Sequence, residues 1–166
     1  MFREMTRAKQ ALSSDRIKDV LDRCTHGILA CTGDGGYPYA VPLNYVFADQ
    51  KIYVHSARHG HKIDAITGSS KVCFTVVDED TIVSKAYTSY FRSVIAFGNV
   101  RITCGAERLA GFTALVEKYS GDQPDELKKK KVADCTQAQI IAIDIEHITG
   151  KEAIEYAIKK QINTYS

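Results

Sequence analysis

No apolar run in this 166-residue chain approaches the ~18–20 residues that a membrane-spanning helix needs. No apolar stretch accompanies Met1–Arg7 either, so no secretory signal is expected and the cytoplasm is the expected compartment. None of the five cysteines, Cys24, Cys31, Cys73, Cys104 and Cys135, forms a C-x-x-C pair. That excludes an obvious zinc knuckle or disulfide framework and fits reduced thiols, with Cys73 read as a small core residue. There is no G-x-G-x-x-G, no P-loop and no nucleophile elbow. The five histidines show no H-E-x-x-H or i, i+4 spacing, so no metal site is expected. A formal net charge of +2 does not single out a nucleic-acid partner, and the Lys128–Lys131 run reads as a solvated loop or helix face. No repeat or linker divides the chain.

What is present is ordinary globular composition, 45% hydrophobic and 25% charged, which fits a single domain with a core from about residue 13 to 151. Ser13-Ser14-Asp15 can cap a helix carrying Ile17, Val20, Leu21 and Cys24 on one face. His26–Thr32 reads as a buried strand and Gly33–Gly36 as a tight turn. From Tyr37 the chain alternates with period two: Tyr37, Tyr39, Val41, Leu43, Tyr45 and Phe47 against Pro38, Ala40, Pro42, Asn44 and Val46. Lys51–Ser56 completes a three-strand meander. Pro42 lies mid-strand, where a residue without an N–H belongs at an edge or a bulge. Gly60–Thr67 predicts a short helix and Lys71–Asp78 a strand with Val72, Phe74 and Val76 on one face. Asp78–Tyr90 reads as polar and irregular. Phe91–Cys104 predicts a long strand with a bulge or close approach at Gly98. Ala106–Tyr119 predicts a helix with Leu109, Phe112, Val116 and Tyr119 on its stripe. Ser120–Asp134 reads as a polar connection that can hold a helical turn. Ile140–Ile148 is the last strand, with Ile141, Ile143 and Ile145 inward, and a helical tail follows Lys151. Strands in hairpin succession with short helices between them point to a mainly β, closed antiparallel barrel with peripheral helices.

The stretch Ile52–Lys62 draws the functional reading. A strand breaks at Gly60 and a helix begins, with Arg58, His59, His61 and Lys62 at the junction. Cations oppose the helix macrodipole at that end, unless an anion is held there by backbone N–H groups and the added charge. Two readings follow: a phosphate site for a phosphorylated cofactor, or a solvated basic loop. His55 is in phase with Tyr53 on the same strand. Ser93 opens the long strand as a polar residue among apolar ones. With no acid–base constellation visible, the chemistry is expected to reside in a bound cofactor.

The ordered motifs Gly36–Tyr45, Ile52–Ala57, Gly60-His61-Lys62, Ser93–Gly98 and Thr149-Gly150-Lys151 resemble the 5-nitroimidazole-resistance (Nim) proteins. These belong to the pyridoxamine 5′-phosphate oxidase-like family of FMN-binding split barrels, and the likeness runs from about Met5 to Lys151. The resemblance implies FMN lying along the backbone of Val41, Pro42, Leu43 and Asn44, and its phosphate at His61 and Lys62 with Ser56 close by. Many relatives carry arginine where His61 stands, so His61 must be protonated or donate a hydrogen bond to serve there. His55 matches the histidine of the family's I-Y-x-H motif and is implied near the flavin, as the candidate catalytic residue. The resemblance further implies a homodimer with FMN at the subunit interface, where Ser93, Lys151 and Arg92 reach the site from the partner chain or close the barrel mouth.

The implied activity is electron transfer from reduced flavin to a small acceptor such as a nitroimidazole, with NAD(P)H binding only transiently. Vitamin B6 oxidation is not expected, because the tail ending in Lys159-Lys160-Gln161 lacks a matching arginine motif. The alternatives are a non-catalytic flavin-, haem- or deazaflavin-binding or storage protein, and a structural dimer with a vestigial pocket.

Overall fold

The computed structural model describes residues 1–135 and 138–158. Its chain order is helix α1 (Ser14–Arg23), strands β1 (His26–Thr32), β2 (Pro38–Ala48) and β3 (Lys51–Ser56), helix α2 (His61–Gly68), strands β4 (Lys71–Val83) and β5 (Thr88–Ile102), helices α3 (Gly105–Ser120) and α4 (Asp125–Asp134), and strand β6 (Gln139–Glu152). Neighbouring strands are antiparallel, and the ring β1-β2-β3-β6-β5-β4 closes into a barrel.

Period-two alternation turns one face of each strand inward. Leu29, Tyr45, Ile52, Val54, Phe74, Val76, Val94, Ala96, Ile141 and Ile143 fill the barrel. Val20 and Leu21 of α1 are fully buried against it, each contributing about 1.5–3 kcal/mol of transfer free energy. A second layer lies outside β2, β3 and β6, where Val46, Tyr53, Ile140 and Ala142 meet Phe112 and Leu115 of α3. Polar ties join the layers. The Tyr45 hydroxyl donates to the Leu21 carbonyl at 2.9 Å. The Tyr119 hydroxyl accepts the Tyr45 N–H at 3.0 Å.

Gly98 sits where the β5–β6 register shifts. A Cβ there would stand 2.2 Å from the Asp144 carbonyl oxygen, so the close approach expected from sequence is present and only glycine fits.

Four expectations need correction. The stretch Asp78–Tyr90 is a hairpin, not an irregular segment: Glu79–Val83 pairs with Thr88–Arg92 after a bulge at Asp78. Its Asp and Glu residues mimic a loop because both faces of that arm carry polar groups. The polar stretch after α3 forms the ten-residue helix α4. The buried stripe of α3 is Gly111, Phe112 and Leu115, whereas Leu109 is exposed. Cys73 is half-buried on the outer face of β4, since Val72 and Phe74 take the inward positions. Residues 154–158 are helical, as expected of the tail, while Lys159-Lys160-Gln161 lies outside the described residues.

Candidate functional site

Strands β2 and β3 share only four register pairs, from Ala48↔Lys51 to Tyr45↔Val54. Two further steps would set Asn44 opposite His55 and Leu43 opposite Ser56. The strands separate there instead. Residues Pro38–Asn44 stay on β1, and His55 and Ser56 stay on β6. Pro42 lies in the separated part of β2, where the lack of an N–H costs no ladder bond on the open side. The gap so opened is bordered by the backbone of Val41, Pro42, Leu43 and Asn44 on one side and by His55 and Ser56 on the other.

Beyond Ser56 the chain turns through Gly60, whose φ of 119° suits glycine and strains any side chain. The Gly60 carbonyl accepts the N–H groups of Ile63 and Asp64 at 2.8 and 3.2 Å. The N–H groups of His61 and Lys62 lie ahead of the first intrahelical bond, the position at which helix termini bind anions. Lys62 is half-buried, and burial pushes its pKa down. It makes no ion pair among the described residues. His61 turns the other way. Its ring stacks on Tyr39 at 4.1 Å, and Nε2 lies 3.7 Å from Asp34 Oδ2. It therefore ties the start of α2 to the β1–β2 turn, with only the rest of the ring left to meet a ligand.

His55 is exposed on the outer face of β3 and stacks on Phe112 at 6.1 Å. Burial first, then the charges of Lys62 and Lys131, push its pKa below the ordinary imidazole value, so it is neutral at pH 7 and can donate one hydrogen bond or accept one. Ser56 is buried at the inner lip of the gap. Opposite it in the ladder is Gln139, whose Oε1 is buried without a hydrogen-bond partner. Leaving an acceptor so placed costs roughly 1–3 kcal/mol. A ligand carrying both a phosphate and an N–H donor fits this donor set: Lys62 and the first N–H groups of α2 for the anion, and Gln139 Oε1 for the N–H. A flavin phosphate meets both requirements.

The remaining expected residues lie elsewhere. In the six-strand ring β5 stands three places from β2 in either direction, so it is on the opposite wall. Ser93 and Lys151 are register partners there. They line a groove of about 310 Å³ with Phe2, Arg3, Met5 and Ile95, and the Phe2 ring stacks on His147 at 4.6 Å. A larger groove of about 490 Å³ lies on the neighbouring outer face, along Ala30, Cys73 and Phe97. One chain thus brings together Val41, Pro42, Leu43, Asn44, His55, Ser56, His61 and Lys62, and holds Ser93 and Lys151 apart from them. Arg92 lies in a buried ionic network with Asp78, Glu79 and Glu152 within its own chain. The Asn44 amide donates to the Thr25 carbonyl at 2.9 Å, so its side chain holds the strand and leaves its backbone toward the gap.

Two residues escaped the sequence reading. Gln139 continues the inward phase of Ile141, Ile143 and Ile145, and a polar residue in that phase was the available signal. Lys131 of α4 adds its charge to the field that lowers the His55 pKa, which no local pattern reveals.

The sequence profile described as pyridoxamine 5′-phosphate oxidase matches residues 13–152. Among solved structures, the fold is similar to a proposed 5-nitroimidazole antibiotic resistance protein from Bacteroides thetaiotaomicron, with 21% identity, 86% of each chain covered and a TM-score of 0.69. It is also similar to a conserved hypothetical protein from Mycobacterium tuberculosis, with 22% identity, 90% of each chain covered and a TM-score of 0.76. A third likeness is to an FAD-binding protein from Mesorhizobium loti, with 25% identity, 87% of this chain and 97% of that one covered and a TM-score of 0.57. No curated protein matches the chain in sequence. Among the described residues, no helix is long and apolar enough to cross a membrane.

Proposed function

This chain belongs to the pyridoxamine 5′-phosphate oxidase family, and from that premise we propose that it is an FMN-dependent oxidoreductase that passes electrons to a small acceptor such as a nitro compound. One observation carries the reading. The gap left where β2 parts from β3 has at one end a half-buried Lys62, at a helix N-terminus and with no ion pair among the described residues, and an orphaned acceptor, Gln139 Oε1, on the ladder partner of Ser56. In this reading Lys62 and the N–H groups of His61 and Lys62 hold the phosphate, and Ser56 donates a hydrogen bond beside them. Val41, Pro42, Leu43 and Asn44 present backbone along the ring, and Gln139 accepts its N–H. His55, neutral at pH 7, borders the gap as a hydrogen-bonding group. Bound flavin supplies the two-electron chemistry, and the protein supplies position and exclusion of water.

The placement of Ser93 and Lys151 on the opposite wall supports a homodimer in which a second copy brings them to the gap. The outer face there carries exposed apolar side chains, Ile28, Val77 and Phe97 at 39%, 49% and 37% exposure, as an interface between copies would. The donor, a nicotinamide dinucleotide in this reading, has no dedicated motif and binds transiently at the open flavin face.

The test is flavin binding followed by fluorescence quenching. Purified protein is expected to release FMN on denaturation, and the apo-protein to bind FMN far more tightly than riboflavin. Lys62→Ala is expected to weaken FMN about tenfold or more, as loss of a charge-assisted phosphate contact, and to leave riboflavin unchanged. Equal affinity for FMN and riboflavin in the parent protein overturns the phosphate site. Bound FMN without turnover of NAD(P)H and nitro or quinone acceptors favours the alternative, a non-catalytic carrier of flavin, and released haem or deazaflavin names a different cargo.

A further inference from the structure

The outer face of β5 and β6 carries an aromatic ring that neither strand supplies. Ser93, Ile95 and Phe97 are the register partners of Lys151, Thr149 and His147, so period-two alternation sets all six side chains on one face. Phe2 lies over one end of that row. Its ring stacks on the His147 imidazole at 4.6 Å and 9° from parallel, and its centroid is 5.5 Å from that of Phe97. Among the described residues no backbone hydrogen bond ties residues 1–4, and Phe2 remains 42% exposed. Ring contacts seat it where the backbone does not.

Beside Phe2 the groove of about 310 Å³ falls within the ~300–1,000 Å³ typical of small-molecule sites. Four residues of strand, about 13 Å, separate its His147 end from its Lys151 end. At the second end the Lys151 amine lies 5.6 Å from the centre of the Phe91 ring, with Ser93 next to it in the ladder. Arg3 also lines the groove, and among the described residues no Asp or Glu does. One end therefore offers two flat ring faces, which favour stacked aromatic partners. The other offers cations and a hydroxyl against an apolar floor, which favours negative charge or an electron-rich oxygen.

We propose that this groove is the acceptor site and takes a planar aromatic molecule bearing a nitro or carboxylate group. The ring replaces Phe2 on His147 and Phe97, and the substituent points to Lys151 and Ser93. Phe2 is the tethered plug of the site. The acceptor role rests on the flavin-dependent reading, in which a second copy sets this wall against the gap. A ring on a short tether competes at an effective concentration on the millimolar scale, so a free ligand is held off in proportion to the time Phe2 spends seated.

The full chain and its Phe2→Ala variant are titrated by ligand-observed NMR with 4-nitrobenzoate and with cyclohexanecarboxylate, which keeps the charge and loses the flat ring. Phe2 belongs to no strand or helix, so the variant is expected to fold, which an unchanged melting temperature checks. Phe2→Ala is expected to bind 4-nitrobenzoate about fivefold more tightly or better, the gain when a plug is seated about four-fifths of the time. Cyclohexanecarboxylate is expected to stay within about twofold of the parent, and Lys151→Gln added to Phe2→Ala to remove most of the gain. In flavin-loaded protein the KM for 4-nitrobenzoate is expected to fall by a similar factor, with kcat within about twofold. Equal affinity in parent and Phe2→Ala, or an equal gain for both carboxylates, overturns the site. Tighter binding with an unchanged KM overturns its acceptor role. Tighter binding in a protein that holds no flavin upholds the groove and overturns the flavin reading instead.

Discussion

Asp78→Ala is expected to be among the most damaging single substitutions outside the barrel interior. The carboxylate is 2% exposed and lies at the bulge of β4. It accepts hydrogen bonds from Arg92 at 2.9 Å, from Arg23 at 2.5 Å and from the Cys24 thiol at 3.4 Å. Arg92 is itself 11% exposed, and its Nε donates at 3.1 Å to Glu152, which is 1% exposed. The guanidinium also lies 4.9 Å over the Tyr156 ring. The network thus joins α1, β4, β5, the end of β6 and residues 154–158. Removing one partner of a buried ion pair costs about 3–5 kcal/mol. Here Arg92 keeps Glu152, and Arg23, 45% exposed, can turn to water, so about 3 kcal/mol is expected. At the 2–4 °C per kcal/mol typical of this chain length, that is a fall of roughly 6–12 °C in melting temperature. Asp78→Asn keeps the shape and one acceptor and is expected to cost about half as much.

The pH dependence has a definite sign. Burial alone would raise the Asp78 pKa, but the hydrogen bonds from Arg92, Cys24 and Arg23 outweigh it and hold it below the ordinary carboxylate value. A group whose folded pKa is depressed stabilises the fold above its unfolded pKa, and that contribution is lost as pH falls through the folded value. The stability gap between parent and Asp78→Asn is therefore flat from pH 5 to pH 8 and narrows below the ordinary carboxylate range. Urea unfolding at several pH values, with an Asp78→Ala/Arg92→Met cycle, measures both effects. A loss below 1 kcal/mol for Asp78→Ala at neutral pH, or a gap that widens on acidification, would refute the reasoning.

Two other tests use the same preparations. Gly98→Ala places a Cβ 2.2 Å from the Asp144 carbonyl oxygen and is expected to cost about 1–3 kcal/mol or more through overpacking against backbone. Gly36→Ala meets no atom within 4 Å but has φ +79°, so only about 1 kcal/mol of backbone strain is expected, and the reverse order in urea unfolding contradicts this account of Gly98. The Cys24 thiol, its pKa pushed up to about 11 by burial and by Asp78, is expected to resist iodoacetamide at pH 8 while the exposed Cys104 is alkylated, which mass mapping of the first labelled peptide checks.

Much of the barrel was legible because strand alternation is a local property. His26–Thr32, Lys51–Ser56 and the run from Pro38 read directly as strands, and the Gly98 backbone approach followed from a glycine inside such a run. Pro42 was legible as an edge residue for an equally local reason, its missing N–H. The β4–β5 arm was hidden because Asp78, Glu79 and Asp80 imitate a loop until Thr88–Arg92 pair with them. Helix α4 was hidden because its stability comes from Val132 docking and from Lys128 bridging to Glu117, not from an apolar stripe. Within the candidate site, the strand-to-helix turn with Gly60 and Lys62 stood out in the sequence, whereas the turning of His61 onto Tyr39 did not.

The amino-acid order by itself determined the strands β1, β2 and β3, the helices α1 and α2, the ladder break at Pro42 and the strand-to-helix turn at Gly60, since each of these depends on backbone and side-chain chemistry within a few residues. Tertiary structure alone decided that β2 leaves β3 at Tyr45, that Gln139 faces Ser56 with an unanswered acceptor, and that Ser93 and Lys151 stand on the opposite wall. Those facts depend on the register and closure of six strands, and register is set by the simultaneous packing of residues far apart in the chain.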